Sequence, residues 1–464
     1  MSPSNSKIAL EGCDFEMKKT DKYQGKLVLV MGLAKSGVVA AKLLKELGAT
    51  VVINDGRELK GNDDAQAMID LGFEVVCGGH PVSLLERGFD LIVKNPGIAY
   101  KTNPLLTCAR NCGIPIVCEV EIAYAISEAS FIGITATNGK TTTTMLIHEI
   151  MQAGGKSSRL AGNIGFVSSE VARKAKASDV MVTELSSFQL MGIDEFRPHV
   201  ALILNITEAH LDYHTDSHEY RQAKLNLVKK QLEDDFFIYN ADDAFISDNL
   251  WQSKAQAMGF SLEKKTNGAY LTDGMLYYKD EPIISVGDVL LKGAHNLQDV
   301  LGAICVCKIY GVSNEAIVKT LKRFSGVKHR LQFVAKKSGV KYYNNSKATN
   351  VMATQMALRA FNEPTILLAG GLEREHDLDD LAKDFANVKA IFAFGETGKR
   401  FKSLADKHSI HCEVFSKLEE TFVAASNYVN TGDIVLLSPA CASWDQFINF
   451  EARGDAFIEL VKNL

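Results

Sequence analysis

The residues best equipped for chemistry lie near the middle of the chain, at Asn138-Gly139-Lys140-Thr141-Thr142. An apolar, β-branched run at 131–135 feeds this turn, and residues 141–153 follow with helical periodicity, closed by Gly154-Gly155. Strand, loop and helix in that order make an anion site. The first amides of a helix lack intrahelical partners, the dipole is positive there, and Gly139 lets a phosphate approach the backbone. Lys140 adds a cation, and a hydroxyl of Thr141 or Thr142 can ligate the magnesium that travels with a nucleoside triphosphate. The spacing departs from the usual pattern: G-x-x-x-x-G-K-[ST] wants glycine where Ile134 stands.

Other residues could serve the same chemistry. Glu184 ends an apolar strand at 179–184, and an acid at the carboxyl end of a parallel strand near a phosphate loop is well placed to hold magnesium. The loop Arg159-Leu160-Ala161-Gly162-Asn163-Ile164-Gly165 can point amides and the Asn163 side chain at a phosphate or carboxylate; a simple turn is the alternative. His210 follows a strand at 199–205 and is not on an apolar face, while Tyr220, Lys224 and Leu225 fall on a helix just beyond. Arg330 carries a planar fork suited to bidentate phosphate binding. Residues 252–290 read as irregular and hairpin-like, with Thr272-Asp273-Gly274 as a turn.

The elements that must position these groups are those of an α/β protein. Residues 26–31, 38–47 and 50–54 read as strand, helix and strand around the turn Gly32-Leu33-Ala34-Lys35-Ser36-Gly37, with Asp55 about 20 positions after the loop. That layout suits a nucleotide, yet Ala34 replaces the glycine that admits a pyrophosphate, so a dinucleotide such as NAD fits less well than a ligand held differently. A plain structural turn stays open here. Lys94-Asn95-Pro96-Gly97-Ile98 comes after the strand 91–93, and residues 117–125 join this region to the second domain. From about residue 331 strands and helices alternate again. Loops at 344–350, 369–374 and 438–447 leave strand ends there and should converge on one crevice.

At 464 residues and 46% hydrophobic content the chain can bury several cores, with a soft expectation of about three domains. A net charge of −5 gives no basic surface for nucleic acid. The nine cysteines include no C-x-x-C pair, and residues 1–20 are polar rather than an apolar leader, which points to thiols in a reducing cytoplasm. No apolar run approaches the roughly 20 residues needed to span a bilayer.

Taken together, these motifs resemble the Mur ligase family of ATP-dependent amide-forming enzymes, whose phosphate loop reads T-G-[ST]-N-G-K-[ST]; Ala136 stands at the family's glycine. The run Glu184-Leu185-Ser186-Ser187-Phe188-Gln189-Leu190 matches the branch that adds D-glutamate to UDP-N-acetylmuramoyl-L-alanine. The resemblance covers nearly the whole chain. It implies a Rossmann-like domain at 1–122, a central P-loop-type ATPase domain with a mostly parallel sheet at 123–330, and a Rossmann-like domain at 331–464.

By that resemblance, Asn138, Gly139, Lys140, Thr141, Thr142, Asn296 and Arg330 bind ATP. Thr141, Glu184, His210 and Lys224 hold two Mg²⁺ ions, Lys224 as a carbamate formed with CO₂. The catalytic group is Lys140, Glu184, His210 and Lys224. The UDP substrate lies against Lys35, Ser36, Asp55, Gly56, Arg57, Asn95, Pro96 and Gly97, with Asn163, Ser186 and Gln189 contributed by the central domain. Lys347, Thr349, Arg374, Ser443 and Phe450 surround D-glutamate, and Cys441 is a packed neighbour without an adjacent base. Asn95, Asp299 and Asn345 depart from the family's Ser/Thr, Asn and Asp. The implied reaction passes through an acyl phosphate attacked by the amino acid's amine, in a cytoplasmic monomer without nucleic-acid or membrane partners. Three alternatives stay open: a related ligase for another amino acid or for folate, an NAD-dependent oxidoreductase read from Gly32, Gly37 and Asp55, and a nucleotide-regulated binding protein.

Overall fold

The run Leu27–Met31 pairs in parallel with Thr50–Asp55 on one side and Leu91–Lys94 on the other. It is the third strand of a five-stranded sheet ordered Glu74–Cys77, Thr50–Asp55, Leu27–Met31, Leu91–Lys94, Ile116–Val117. Near-continuous Val, Ile and Leu suit strands covered on both faces. Met31 lies opposite Asn54 and Lys94, so the loops after all three strands leave from one edge. The following helix, Lys35–Glu46, starts three residues earlier than its apolar periodicity suggests. Gly37 sits inside it because a Cβ there would lie 1.9 Å from the Gly32 carbonyl oxygen.

This computed structural model describes residues 18, 20–210, 213–291, 293–373 and 377–464. The chain forms two compact units, residues 1–324 and 325–464. In the first, helix Glu119–Ile126 leads from the five-stranded sheet into a second one. Its buried Glu121 accepts the backbone N–H groups of Asp194, Glu195 and Phe196 at 2.9, 2.8 and 3.2 Å, which is how a carboxylate survives out of water.

The second sheet has six parallel strands, ordered Gln256–Phe260, Phe236–Asn240, Val200–Ile203, Ser130–Thr135, Val180–Glu184, Ser158–Gly162. Ser130–Thr135 is central, with Ile134 opposite Glu184 and Thr135 opposite Ile203, so the loop from residue 136 emerges between the ends of its two neighbours. The region 252–290 is more regular than its sequence suggests. Gln256–Phe260 is an edge strand that lacks β-branched residues; the Asn267 side chain accepts the Gly259 N–H at 2.9 Å and Thr266 Oγ1 donates to the Gly259 carbonyl at 2.7 Å. An antiparallel sheet of Ala269–Thr272, Met275–Tyr278 and Glu281–Ser285 comes next, turning at Asp273 and Gly274 with φ of 49° and 74°.

The second unit carries a six-stranded sheet ordered Gln332–Lys337, Val340–Asn344, Ile434–Leu437, Thr365–Gly370, Val388–Phe394, His411–Phe415. Its first pair is antiparallel and the rest parallel. Strands Val340–Asn344, Ile434–Leu437 and Thr365–Gly370 are adjacent, and their loops leave from the same edge.

Candidate active site

Helix Lys140–Ala153 begins at Gly139, whose φ is +87°. A Cβ there would lie 2.1 Å from Asp299 Oδ1 on the buried helix Ala294–Ile309, so both conformation and space demand glycine. The loop is braced from the neighbouring strand. Asn205 Oδ1 accepts the Asn138 N–H at 2.9 Å while its Nδ2 donates to the Asn138 carbonyl at 3.1 Å. Thr137 Oγ1 lies 2.9 Å from the Tyr220 hydroxyl and donates to the Thr207 carbonyl at 3.1 Å. Lys140 Nζ donates to the carbonyls of Ala136 and Thr137 at 2.8 and 2.9 Å, inside the curve of its own loop. Thr141 is buried in the first turn and Thr142 half-buried beside it. Asn296 is half-buried near the start of the Asp299 helix.

Glu184 and Lys224 lie against this loop. Glu184 is buried; its Oε1 accepts from Asn163 Nδ2 at 2.9 Å, and its Oε2 has no hydrogen-bond partner among the described residues. Lys224, on helix Ser217–Leu225, is also buried and donates to the Ala136 carbonyl at 2.7 Å, with its Nζ 4.8 Å from the Tyr220 ring centre. Burial, and next the Lys140 charge, push the Lys224 amine well below its usual pKa, against the pull of Glu184. Loss of its proton is therefore easier than for an exposed lysine. His210 has a left-handed backbone, φ +57°, an exposed side chain, and its ring 5.1 Å from that of Phe188 and 6.1 Å from that of Tyr220. Buried His214, four residues further on, shares a 2.9 Å hydrogen bond with Ser187.

The loops of the first sheet form a second polar edge. Asp55 Oδ2 accepts the Leu33 N–H at 2.6 Å, and its Oδ1 accepts Arg57 N and Nε at 3.0 Å and Asn62 Nδ2 at 3.2 Å. Burial alone would raise this carboxyl, but Arg57 and the Leu33 amide hold it below the usual carboxylate range. Asn95 Nδ2 donates to Ser36 Oγ at 3.2 Å and its Oδ1 accepts the Gly97 N–H at 3.0 Å. Gly56 lies against the His80 ring. Lys35 Nζ reaches the Gly165 carbonyl at 3.2 Å, bringing this edge to the loop that carries Asn163. Ser186 and Gln189 hold each other in a capping box at the start of the short helix Ser187–Leu190.

Several supports escaped the sequence reading. Buried Lys94 donates to the Ile98 carbonyl at 2.9 Å and to the Tyr213 hydroxyl at 2.9 Å, and that hydroxyl donates to the Pro96 carbonyl at 2.8 Å. Tyr213 in turn stacks on Phe188 with ring centres 3.9 Å apart. The only sequence signal was a lysine in an otherwise apolar strand.

In the second unit, Lys347 is exposed with its Nζ 5.7 Å from the Phe450 ring centre; Thr349 is half-buried and Ser443 buried. Burial pushes the Cys441 thiol up, which suits packing rather than nucleophilic work. Arg330 belongs to this unit and is exposed. Arg374 lies outside the described residues.

Domain models match almost end to end: a "Mur ligase MurD-like, N-terminal domain" over 26–118, a "Mur ligase middle domain" over 134–307 and a "Mur ligase, glutamate ligase domain" over 329–441. The chain belongs to the Mur ligase family. It is 52% identical over 450 residues to a protein named UDP-N-acetylmuramoylalanine--D-glutamate ligase from Bacillus cereus (strain Q1), covering 97% of this chain and 100% of that one. The protein of the same name from Bacillus mycoides (strain KBAB4) gives the same figures. Among solved structures, the UDP-N-acetylmuramate-alanine ligase MurC from Thermotoga maritima superposes with a TM-score of 0.53 at 18% identity, covering 94% of this chain and 99% of that one. MurF from Acinetobacter baumannii gives 0.54 at 20% identity, covering 72% and 77%. These two show the α/β fold alone.

For a Mur ligase, the four departures from the pattern have physical readings. Ala136 has no positive φ and contributes its carbonyl to Lys140 and Lys224, which alanine does as well as glycine. Asn95 closes its own turn and also reaches Ser36. Asn345 accepts the Leu331 N–H at 3.0 Å and donates to Ser438 Oγ at 3.0 Å, the second of which an ionised aspartate cannot do. Asp299 puts a carboxylate, not an amide, against the phosphate loop.

Proposed function

We propose that this Mur ligase adds D-glutamate to UDP-N-acetylmuramoyl-L-alanine in peptidoglycan precursor synthesis, consuming ATP and releasing ADP and phosphate. The names of the relatives that cover 97% of the chain support the substrate pair. The observation that carries the chemistry is the buried, unpartnered Oε2 of Glu184 beside a lysine whose charge is suppressed, both under a phosphate loop. An anionic oxygen with nothing to accept is a fitting ligand for a hard cation.

Glu184, His210, Thr141 and Lys224 would hold magnesium, two ions by the family pattern. The metal supplies charge neutralisation on the phosphoryl group in transfer. Among the described residues no three His, Cys, Asp or Glu side chains group to hold a metal, and on this reading Lys224, as a carbamate, would supply a further anionic donor. As a carbamate, Lys224 presents two oxygens in place of an amine. Lys140 exchanges the loop carbonyls it now contacts for phosphate oxygens, and the amides from Asn138 to Thr142 cradle the triphosphate. Asn163 orients Glu184. The substrate carboxylate takes the γ-phosphoryl group, the D-glutamate amine attacks the acyl phosphate, and phosphate leaves from the tetrahedral intermediate. No side chain becomes acylated.

The remaining assignments rest on the same reading: ATP at 138–142 with Asn296 and Arg330; the UDP substrate along Lys35, Ser36, Asp55 to Arg57, Asn95 to Gly97, Asn163, Ser186 and Gln189; D-glutamate among Lys347, Thr349, Arg374, Ser443 and Phe450. Domains divide at 122/123 and 330/331, and the protein works as a cytoplasmic monomer. No described helix is long and apolar enough to cross a membrane. Against dinucleotide binding, Ala34 stands where that motif needs the glycine that admits a pyrophosphate. ADP release that requires both the UDP-muramoyl peptide and an amino acid supports the reading; ATP turnover independent of either contradicts it.

A further inference from the structure

Helix Phe450–Lys462 buries Arg453 completely in the interior of the second unit, alongside the apolar Phe457 and Val461. Its guanidinium spans the ends of three strands. Nε donates to Ser346 Oγ at 3.0 Å, Nη2 to the Ser346 carbonyl at 2.9 Å and the Cys441 carbonyl at 3.0 Å, and Nη1 to the Gly370 carbonyl at 3.5 Å. Ser346 follows Val340–Asn344, Gly370 ends Thr365–Gly370, and Cys441 follows Ile434–Leu437. Ser346 Oγ passes the connection on, donating to the Phe450 carbonyl at 2.8 Å. Gly371 fits beside the guanidinium only as glycine: a Cβ would lie 2.2 Å from the Ala442 carbonyl oxygen and 3.2 Å from Arg453 Nη1.

Two features set this arginine apart from an ordinary structural one. Of the residues it holds, Ser346 precedes Lys347 and bonds the Phe450 carbonyl, and Cys441 lies two residues before Ser443; Lys347, Phe450 and Ser443 are three of the groups assigned above to the amino acid. And every hydrogen bond it makes among the described residues goes to an uncharged oxygen, so its charge is buried without a carboxylate in hydrogen-bond contact, the Asp445 carboxylate acting on it only from further off. Such burial is costly for stability alone, and an apolar replacement would often serve a fold better. A fixed cation beneath a site for a dicarboxylate has a use for that charge.

We propose that Arg453 is a positioning residue for the incoming amino acid: its fork sets the mutual register of the three loops, and its charge makes the crevice attractive to carboxylates. The proposal rests on the reading of this unit as the D-glutamate site. Lysine at 453 keeps the charge but loses the planar fork that reaches three carbonyl groups, and glutamine loses both.

The test is steady-state phosphate release by the full-length enzyme, with D-glutamate, ATP and UDP-N-acetylmuramoyl-L-alanine varied in turn. Arg453→Lys is expected to raise KM for D-glutamate about tenfold, leaving the other two KM values within about twofold, and Arg453→Gln to raise it further. A D-glutamate KM unchanged in Arg453→Lys, or a fall in kcat alone, overturns the proposal. Should both variants fail to fold, Ser346→Ala, which removes the Nε acceptor and the hydroxyl that donates to the Phe450 carbonyl while leaving the guanidinium in place, carries the same test: a selective rise in D-glutamate KM supports the role and an unchanged KM overturns it. If wild-type enzyme shows no D-glutamate-dependent phosphate release, the functional reading fails instead.

Discussion

Lys224 and Arg453 are equally buried, at 1% and 0% exposure, yet their surroundings use them differently. Burial drives the Lys224 amine well below its usual pKa with Lys140 adding to the effect, whereas burial lowers the Arg453 guanidinium only to about 10. Loss of the proton is thus eased at Lys224, while at neutral pH Arg453 stays charged. A primary amine on a flexible stem gives up charge and becomes a nucleophile toward CO₂; a delocalised fork keeps charge and spreads it over several acceptors. On the proposed reading, the phosphate-loop centre has a lysine where chemistry must be made, and the amino-acid crevice an arginine where geometry must be held.

The contrast can be broken at either end. The largest effect is expected at Lys140→Ala, which removes the loop cation and should cost about a hundred- to a thousandfold in turnover with the fold intact by circular dichroism. Ligation at the wild-type rate would remove the phosphate-loop assignment. Lys224→Arg comes next and tests the comparison itself. A guanidinium there stays charged and cannot form the carbamate, so turnover should drop about a hundredfold. Lys224→Ala should lose comparable activity but regain part of it with added acetate, because a small carboxylate can enter the vacated space. A fully active arginine variant, or an alanine variant indifferent to acetate, would return Lys224 to a structural role.

How much of this was legible depended on whether the signal was local. The phosphate loop, Glu184 at its strand end and the helical placement of Lys224 follow from periodicity and position, and the structure has each on the expected element. Strands were easily read where both faces are covered, as at Leu27–Met31. They were missed at Gln256–Phe260, where an edge strand of Gln, Ala, Met, Gly and Phe is held by the side chains of the loop after it. Asn205, Lys94 and Arg453 were illegible as supports for a common reason: each meets a partner far away in sequence, the Asn138 backbone, the Tyr213 hydroxyl and the Ser346 and Gly370 carbonyls respectively, and only tertiary packing brings these into reach. Asn163 was expected at the substrate and lies hydrogen-bonded to Glu184.

The smallest expected effect belongs to one of those hidden supports. Asn205→Ala removes two neutral hydrogen bonds to Asn138, each worth ~1 kcal/mol, and should raise KM for ATP severalfold while sparing D-glutamate. If D-glutamate KM moved as much as that of ATP, the separation between a loop that handles phosphate and a crevice that handles the amino acid would be lost.

The central claim, a ligase for D-glutamate, is most directly tested by competition. Purified enzyme is given ATP, Mg²⁺, UDP-N-acetylmuramoyl-L-alanine and equal D-glutamate and D-alanine, and the product mass is read. If the proposed pocket is built for two carboxylates, D-alanine leaves the donors for the second unpaired, at roughly 1 to 3 kcal/mol for each donor that closure takes out of water. The D-glutamate adduct should therefore account for nearly all of the product, in step with phosphate released. Equal incorporation of the two amino acids, or phosphate release without either adduct, would contradict the account.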